Sequence, residues 1–578
     1  MKLMLHYLKK YKGLCLLDAI CVFGFILTEL GLPYLFAQMI DNAVLPHRLN
    51  DVIGYGIKMV GLVIVGFMLS IGLAYVCSKI TTAIVTAIRR DLFTKIQHYS
   101  HEEYEQFGNA SLLTRLTNDP IQIMNFLNTI LRMGLTAPFM LIASLCMIYN
   151  TSHELSLVVL CSLPILIIGV IIIGKCSEPL SEKQQQALDA INEQMQESLF
   201  GIRVIRAFNR QPYEAQRFGQ RNHAFAKNTK RLYLLMAVSN PLFNLIFSFV
   251  LALVLWLGAK QVSIGGMEVG NFVAITEYIF HALYSTMLFA TVFMMYPRAN
   301  VSAKRIAEAL ATKTTLDEEG ETLTEPIHSI QFDHVSFRYP NDKENTLTDV
   351  NFSVKKGETL AFIGSIGSGK SSLLKLCARL FDPSQGRILI NGKDLSSLDL
   401  KEYRHHLGYI PQKAFLFNGT IRSNLQYGRQ NASDEALWHA LQVAQSETFV
   451  REKEHQLDEE VVENGSNFSG GQKQRLAIAR AIVRQPDVYL FDDSFSALDF
   501  KTDAALRQAL APTLKDAITM IVAQRVSTIM DADCIVVMDH GHVVATGTHQ
   551  HLMATSPIYQ EIVRSQLEEE ELTDETYA

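Results

Sequence analysis

The sequence predicts an all-α membrane domain of six transmembrane helices, followed by an α/β domain built around a phosphate-binding P-loop. Three observations lead to this prediction: six long apolar stretches in the first half of the chain, alternating β-rich and helical runs in the second half, and a glycine-rich motif between one such strand and a helix. Charged residues make up only 19% of the 578 residues, below the about 25% of ordinary soluble domains. A disordered or coiled-coil chain is excluded, and the net charge of −6 gives no basic field for nucleic acid.

Each predicted transmembrane helix supplies the ~20 apolar residues that cross ~30 Å of hydrocarbon. The predicted transmembrane domain covers residues 1–310, with spans at about 15–40, 53–78, 128–149, 155–174, 237–259 and 272–295. Lysine and arginine collect before the first span, after the second, and between the fourth and fifth. The positive-inside rule therefore predicts that both termini are cytoplasmic. The first apolar run has no small-residue cleavage site after it, which favours a membrane anchor over a signal peptide.

The two longest connections between spans are also predicted to be helical. Long unstructured loops are uncommon, and the polar connections at 79–127 and 175–236 have helical periodicity. We interpret them as cytoplasmic extensions of the spanning helices, with turns near 107–111 and 209–213. Residues 311–326 are polar and acidic, which predicts a linker to the soluble domain at 327–578.

The clearest chemical signal is a G-x-x-x-x-G-K-S pattern that follows a strand-like run and precedes a helical one. In such a loop backbone N–H groups surround phosphate oxygens, the lysine supplies positive charge and the last serine offers a hydroxyl to Mg²⁺. A second apolar strand, 488–491, ends in Asp492, as does the Mg²⁺-holding strand of P-loop NTPases. The predicted phosphate-binding residues are Gly364, Ser365, Ile366, Gly367, Ser368, Gly369, Lys370, Ser371 and Ser372.

The segment 467–475, with the sequence NFSGGQKQR, lies between these two motifs. It resembles the signature of ATP-binding cassette (ABC) proteins, with Phe468 where leucine is usual. Tyr339, Gln412 and the SALD sequence at 496–499 match further positions of that family. Six spans followed by one cassette resemble a half-transporter of the exporter type. The resemblance implies an ABC-type nucleotide-binding domain, ATP and Mg²⁺ as cofactors, and a second half-transporter as partner.

The resemblance also implies roles for individual residues. Tyr339 would stack on adenine, while Ser371, Gln412 and Asp492 would hold Mg²⁺ and its waters. In the family, two cassettes close around two ATP molecules and closure is passed to the spans. The signature residues that would reach the partner's nucleotide are Ser469, Gly470, Gly471 and Gln472.

Two positions depart from the family pattern. Asp493 occupies the place of the glutamate of hydrolytic sites, and Gln524 occupies the place of a histidine. The aspartate is one methylene shorter than a general base needs to reach water, and an amide carries no proton at neutral pH. We therefore expect a chain that binds Mg-ATP but hydrolyses it poorly in its own site. Its signature would complete the competent site of a heterodimeric partner, with a slow homodimer as the alternative.

The transported compound is less constrained by the sequence. Glu29 lies in the first predicted span, and Glu277 and His281 lie in the sixth, among many aromatic residues. A cavity lined by these groups would suit amphipathic cations, although packing aromatics and paired acids explain them equally well. The resemblance implies multidrug-like export of lipophilic or amphipathic compounds across the plasma membrane. Lipid export, peptide export and a regulatory ATP sensor remain alternatives.

Overall fold

The computed structural model describes residues 2–316, 318–340 and 342–576, which form two compact units. The first unit comprises Met1–Gln97 and Gly108–Thr312, and the second comprises His98–Phe107 and Lys313–Ala578. The predicted fold class is confirmed, because the first unit is helical and the second is α/β. The division differs from the predicted continuous domain at 1–310, since a short segment between two membrane helices belongs to the second unit. Asp317 of the predicted linker and residues 577–578 lie outside the described residues.

In the described part of the chain, six helical segments are long and apolar enough to cross a membrane. Each contains one of the predicted spans, and π-helical turns at Ile40–Val44 and Ile130–Gly134 adjust the first and third segments. The helices of this part of the chain are α1 (Lys2–Leu8), α2 (Lys12–Met39), α3 (Leu49–Gln97), α4 (His101–Phe107), α5 (Asn109–Leu116), α6 (Asn118–Thr129), α7 (Thr136–Thr151), α8 (His153–Phe200), α9 (Ile202–Ala207), α10 (Gln211–Ser263) and α11 (Val269–Ala311).

Three of these helices are much longer than a bilayer is thick. Helices α3, α8 and α10 have 49, 48 and 53 residues, which at 1.5 Å per residue gives roughly 70–80 Å. The hydrocarbon core is only ~30 Å thick, so each helix continues far outside it. The chain turns at Gly108 and Asn209, which adopt positive φ values of 73° and 52°. Both turns fall within the segments predicted from the sequence.

Helix α11 packs against α2, and this contact positions the candidate membrane site. The Tyr278 hydroxyl donates to the Leu30 carbonyl oxygen at 3.3 Å, and the Gly270 amide donates to Asp41 Oδ1 at 2.7 Å. Ile279 on α11 is fully buried. These contacts fix the position of Glu29 on α2 relative to Glu277 and His281 on α11.

The second unit contains two main β-sheets and a small two-stranded one. The larger sheet has the order β12-β11-β3-β10-β9-β6, and all of its pairings are parallel except β11 with β12. The other main sheet is antiparallel, with the order β2-β1-β4-β5. The strands are β1 (Ser329–Phe337), β2 (Leu347–Lys355), β3 (Thr359–Gly364), β4 (Gln385–Ile390), β5 (Lys393–Asp394), β6 (Leu407–Ile410), β7 (Gly419–Thr420), β8 (Glu460–Val461), β9 (Val488–Asp492), β10 (Ile518–Val522), β11 (Cys534–Asp539) and β12 (His542–Gly547).

Helices cover the parallel sheet and bury its central strands. Every residue of β9 and β10 is buried, as expected for apolar strands inside a parallel sheet. The helices of this unit are α12 (Lys370–Cys377), α13 (Leu400–His405), α14 (Ile421–Gln426), α15 (Asp434–Val443), α16 (Glu447–Arg451), α17 (Gly470–Arg484), α18 (Phe500–Leu514), α19 (Val526–Ile529), α20 (His549–Thr555) and α21 (Pro557–Thr576).

The segment His98–Phe107 is fastened to the linker by a buried carboxylate. Glu103 accepts hydrogen bonds from the backbone amides of Ser100 and Thr315 at 2.7 and 2.8 Å, and from the Ser100 hydroxyl. Burial alone would raise the pKa of Glu103, but these hydrogen bonds outweigh it and hold the pKa below its ordinary value. His98 Nδ1 lies 3.2 Å from Glu318 Oε2 and adds a second contact. We call these contacts the linker clasp.

We expect Glu103→Gln to open the linker clasp, because the amide removes the charged acceptor that three donors surround. The loss of about 1–3 kcal/mol would speed trypsin cleavage after the exposed Lys313 at least about fivefold. The pKa of Glu103 is lower in the folded protein than in the unfolded chain, where it is ~4.3. The stabilisation that Glu103 provides is therefore fully present above pH ~4.3, and it is lost only as the pH falls through the lower pKa of the folded state. The protection that Glu103→Gln loses relative to wild type should therefore be equal at pH 8 and pH 6.

The matched control is Glu102→Gln on the same helix, which should leave the cleavage rate unchanged. Equal cleavage of the two variants, or a loss of protection between pH 8 and pH 6, would contradict the role of Glu103.

Candidate nucleotide-binding site

The order of the parallel strands places four functional loops at one edge of the sheet. The P-loop follows β3, Asp492 ends β9, Gln524 follows β10 and Gln412 follows β6. Since these strands are neighbours and parallel, their carboxyl ends lie side by side. Residues that are far apart in the sequence therefore meet in one site.

Glycine is required at both ends of the P-loop. Gly364 has φ +153°, and a Cβ there would lie 1.9 Å from the Met538 carbonyl oxygen. Gly369 has φ +92°, and a Cβ there would lie 2.6 Å from the Leu347 side chain. The loop therefore curves tightly with its backbone close to the sheet, while the side chain of Ile366 is 94% exposed and points away.

The ammonium group of Lys370 is held inside this loop. Its Nζ donates to the carbonyl oxygens of Gly364 and Ser365 at 2.9 and 2.7 Å, and to Ser368 Oγ at 3.3 Å. Burial lowers the pKa of Lys370, and the nearby Asp493 carboxylate opposes this effect. The curved backbone and the enclosed cation fit the phosphate groups of a nucleotide.

A hydroxyl and a carboxylate suitable for Mg²⁺ lie next to each other. Ser371 Oγ donates to Asp492 Oδ1 at 2.6 Å, and the Tyr409 hydroxyl donates to Asp492 Oδ2 at 3.2 Å. Hard oxygen ligands of this kind match Mg²⁺, so the residues present fit the ion. When bound, Mg²⁺ would neutralise charge on the phosphate oxygens. Gln412 contacts Asp493 rather than this pair, with its Nε2 donating to Oδ2 at 3.1 Å.

The two unusual residues predicted at the catalytic positions are joined directly. Asp493 is buried, has a positive φ of 47°, and accepts from Gln524 Nε2 at 2.9 Å. The acceptor atom is Oδ2, the same atom that receives the Gln412 amide. Burial raises the pKa of Asp493, and the hydrogen bond from Gln412 opposes this effect. One carboxylate oxygen is thus occupied by two amide donors that carry no transferable proton.

Tyr339 lies beside the helix that follows the P-loop. Its hydroxyl is 3.0 Å from Ser372 Oγ, and Lys375 Nζ lies 5.5 Å from the ring centroid. Edge contacts with Phe337 and Phe381 hold the ring, with centroid separations of 4.8 and 5.3 Å. Stacking of this ring on a nucleotide base remains a prediction.

The signature segment forms the N-terminus of α17. Ser469 Oγ accepts from the Gln472 amide at 3.2 Å, while Gln472 Oε1 accepts from the Ser469 amide at 3.0 Å, so the two residues form a capping box. Ser469 and Gly470 are exposed, and Gly471 and Gln472 are half-buried. Phe468 is buried in the core, as the usual leucine would be. Within the described residues, no hydrogen bond joins the signature to the P-loop of the same chain.

Tyr409 is a site residue that the sequence did not reveal. A single tyrosine in a strand forms no motif, and its role follows only from the pairing of β6 with β9. Its position three residues before Gln412 was the one available signal. Burial and the adjacent Asp492 carboxylate raise the pKa of Tyr409, so the hydroxyl remains a donor at neutral pH.

The candidate substrate residues of the membrane unit lie on α2 and α11, two helices that contact each other. Glu29 on α2 and His281 on α11 are half-buried, and Glu277 on α11 is exposed. Both carboxylates are within electrostatic range of the His281 imidazole. Beside them the rings of Phe280 and Tyr284 stack at 5.7 Å. The surface therefore combines two acids with aromatic rings.

Comparison with known proteins assigns the family. The family described as the ABC transporter transmembrane region matches residues 16–287, and the family described as ABC transporter matches residues 347–496. The ABC transporter ATP-binding protein YfiB of Bacillus subtilis is 34% identical over 562 residues, which cover 97% of this chain and 98% of the relative. The chain therefore belongs to the ABC transporter family.

Two further proteins are similar to this chain over nearly its full length. An ATP-dependent lipid A-core flippase of Chromobacterium violaceum is 28% identical over 576 residues, which cover 98% of this chain and 97% of the flippase. The structure of a bacterial Atm1-family ABC exporter with ATP bound has the same fold, with a TM-score of 0.83 at 23% identity over 96% of this chain and 98% of that chain. This chain therefore has the two parts of an ABC half-transporter, a membrane region and an ATP-binding cassette.

We expect Tyr409→Phe to lower the affinity for Mg²⁺, so that a higher Mg²⁺ concentration is needed for nucleotide binding. The reason is that Asp492 loses the donor that orients its second oxygen. Removing such an indirect partner typically costs at least about tenfold in metal affinity. The purified chain would be titrated with MgCl₂ in the presence of a fluorescent ATP analogue. Tyr489→Phe, a buried tyrosine of β9, is the matched control. An unchanged Mg²⁺ midpoint in Tyr409→Phe would contradict the assignment.

Proposed function

We propose that this chain is one subunit of a heterodimeric ABC exporter. Its own ATP site binds Mg-ATP but hydrolyses it poorly, and its signature completes the hydrolytic site of a second half-transporter. The observation that carries the proposal is the pair of hydrogen bonds from Gln412 and Gln524 to Asp493 Oδ2.

This arrangement is poorly suited to general-base catalysis. A base must reach the attacking water within about 2.6–3.2 Å, and losing it costs about 10²–10⁴ in rate. Asp493 is shorter than glutamate, and its Oδ2 already accepts from two amides. Gln524 occupies the place of a histidine and cannot take up a proton. The same site retains Lys370, Ser371 and Asp492, so weak hydrolysis is combined with a complete binding apparatus.

The signature supports a role at the partner's nucleotide. Its serine and first glycine are exposed, and they begin the 15-residue helix α17. Free N–H groups and the positive end of the helix dipole favour a phosphate group at such a terminus. We infer that the partner carries glutamate and histidine at the matching catalytic positions and an altered signature of its own.

We place the chain in the plasma membrane, and the distribution of basic residues supports both termini in the cytoplasm. The connections predicted to be cytoplasmic contain most of the lysine and arginine of the membrane unit. The long extensions of α3, α8 and α10 carry these residues.

We expect the purified chain alone to hydrolyse ATP at least about 100-fold more slowly than the co-expressed pair. The physical reason is that only the site with the partner's P-loop has a glutamate base. Phosphate release from the two preparations would be compared in the same lipid. Brisk hydrolysis by the lone chain would refute the asymmetric arrangement.

The double substitution Asp493→Glu with Gln524→His tests the same site within the pair. It should restore ATP cleavage at this chain's P-loop only if the partner's signature still supports the reaction. Lys370→Ala in the same background is the control, since any restored activity must disappear with the phosphate-binding lysine.

For the transported compound, we propose an amphipathic cation. Glu29 and Glu277 place two carboxylates near His281 on the contacting helices α2 and α11, and aromatic rings adjoin them. Apolar contact, cation–π attraction and the acids together favour a lipophilic cation over a neutral compound.

Glu29→Gln combined with Glu277→Gln should reduce efflux of a cationic dye at least about tenfold while sparing a neutral lipophilic dye. The loss of two carboxylates removes charge attraction but little apolar contact. Dye efflux would be measured in cells that express the pair. Glu154→Gln, an acid that accepts from Gln261 Nε2 at 2.8 Å, is the control. Equal efflux of both dyes in the double variant would contradict a cationic substrate.

A further inference from the structure

The beginning of the chain is strongly basic. The first 17 residues contain four lysines and no acidic residue, and the first carboxylate is that of Asp18. All four lysines are exposed. We call them the N-terminal basic surface: Lys2, Lys9, Lys10 and Lys12.

This segment has a fixed position rather than a free end. Met4 and Tyr7 on α1 are 3% and 4% exposed, and the Tyr7 hydroxyl donates to Asp91 Oδ2 on α3 at 2.8 Å. The backbone leaves helical geometry at Tyr11, with φ −114° and ψ 30°, before α2 begins. One face of α1 is therefore packed against the protein. Because the backbone is not helical at Tyr11, α1 and the membrane helix α2 do not form one continuous helix.

The lysines lie where the chain enters the hydrocarbon. Leu16 and Ile20 on α2 are 65% and 56% exposed, so this face of a membrane-spanning helix contacts lipid. Lys12 precedes Leu16 by one helical turn, about 6 Å along the axis. Leu5 on α1 is also exposed and apolar, at 51%. Ammonium groups beside such residues extend to the level of the lipid headgroups.

The four charges have no carboxylate partner in the part of the chain that the structure describes. Lys10 Nζ lies 5.2 Å from the Tyr7 ring centroid, an attraction that leaves its charge uncompensated. The nearby Asp91, which accepts from the Tyr7 hydroxyl, is itself paired with Arg90 at 3.4 Å, so it does not offset the four lysines. Clusters of four or more basic residues directly beside a membrane helix attract anionic lipids.

We infer that the N-terminal basic surface binds the headgroups of anionic phospholipids in the adjoining leaflet. Each lysine near an anionic surface raises the affinity for that surface about fivefold. Here four lysines lie on or directly after α1, which is packed against the protein. The ligand is a lipid rather than a free phosphate, because exposed leucines on α1 and α2 flank the charges and accommodate acyl chains. This inference is independent of the heterodimer and of the exported compound.

The test compares phosphatidylglycerol with phosphatidylcholine bound to the full-length protein. Protein in mild detergent would receive an equimolar mixture of the two lipids, and native mass spectrometry would give their bound ratio. Wild type should prefer phosphatidylglycerol, and Lys9→Gln/Lys10→Gln/Lys12→Gln should lower the ratio at least about fivefold. The matched control, Arg203→Gln/Arg206→Gln/Arg210→Gln, removes equal charge from exposed positions far along the chain from either adjoining span and should leave the ratio unchanged.

Two results would overturn the inference. One is an unchanged lipid ratio in the lysine variant while its circular dichroism and nucleotide binding match wild type. The other is displacement of phosphatidylglycerol by millimolar inorganic phosphate, which would identify a site for a free anion.

Discussion

The parallel pairing of β6, β9, β10 and β3 is the constraint on which the nucleotide site depends. Each functional loop leaves the carboxyl end of one of these strands, and the strand order fixes which loops are neighbours. Because β9 lies between β6 and β10, Asp493 lies within reach of both Gln412 and Gln524. The two hydrogen bonds that Asp493 Oδ2 accepts beside the P-loop therefore depend on this order.

The sequence alone predicted the parts of this site that a fixed spacing identifies. The P-loop, Asp492 and the signature are contiguous motifs, and six apolar stretches located the six membrane segments. The helical extensions were also predictable, because polar connections with helical periodicity are too long for loops. Local patterns were sufficient in each of these cases.

Interactions between distant residues were not predictable from one sequence. Tyr409 became part of the site through a strand pairing, and the contact between Glu103 and Thr315 joins residues 212 positions apart. The single oxygen of Asp493 that both glutamines share is likewise a result of packing. No periodicity or motif predicts these contacts, because they depend on the order of the strands and on the fold of the intervening chain.

The linker clasp has a consequence for the biogenesis of the protein. Glu103 leaves the ribosome long before Thr315, and four membrane helices are synthesised in the interval. The cassette therefore cannot be completed until that whole hydrophobic section has been made. A cassette expressed from residue 313 onward would lack this peptide and leave the Phe381 ring without its edge contact from His101. The second unit is thus assembled from two separate segments of one chain, and the earlier segment has no partner until the later one has been synthesised.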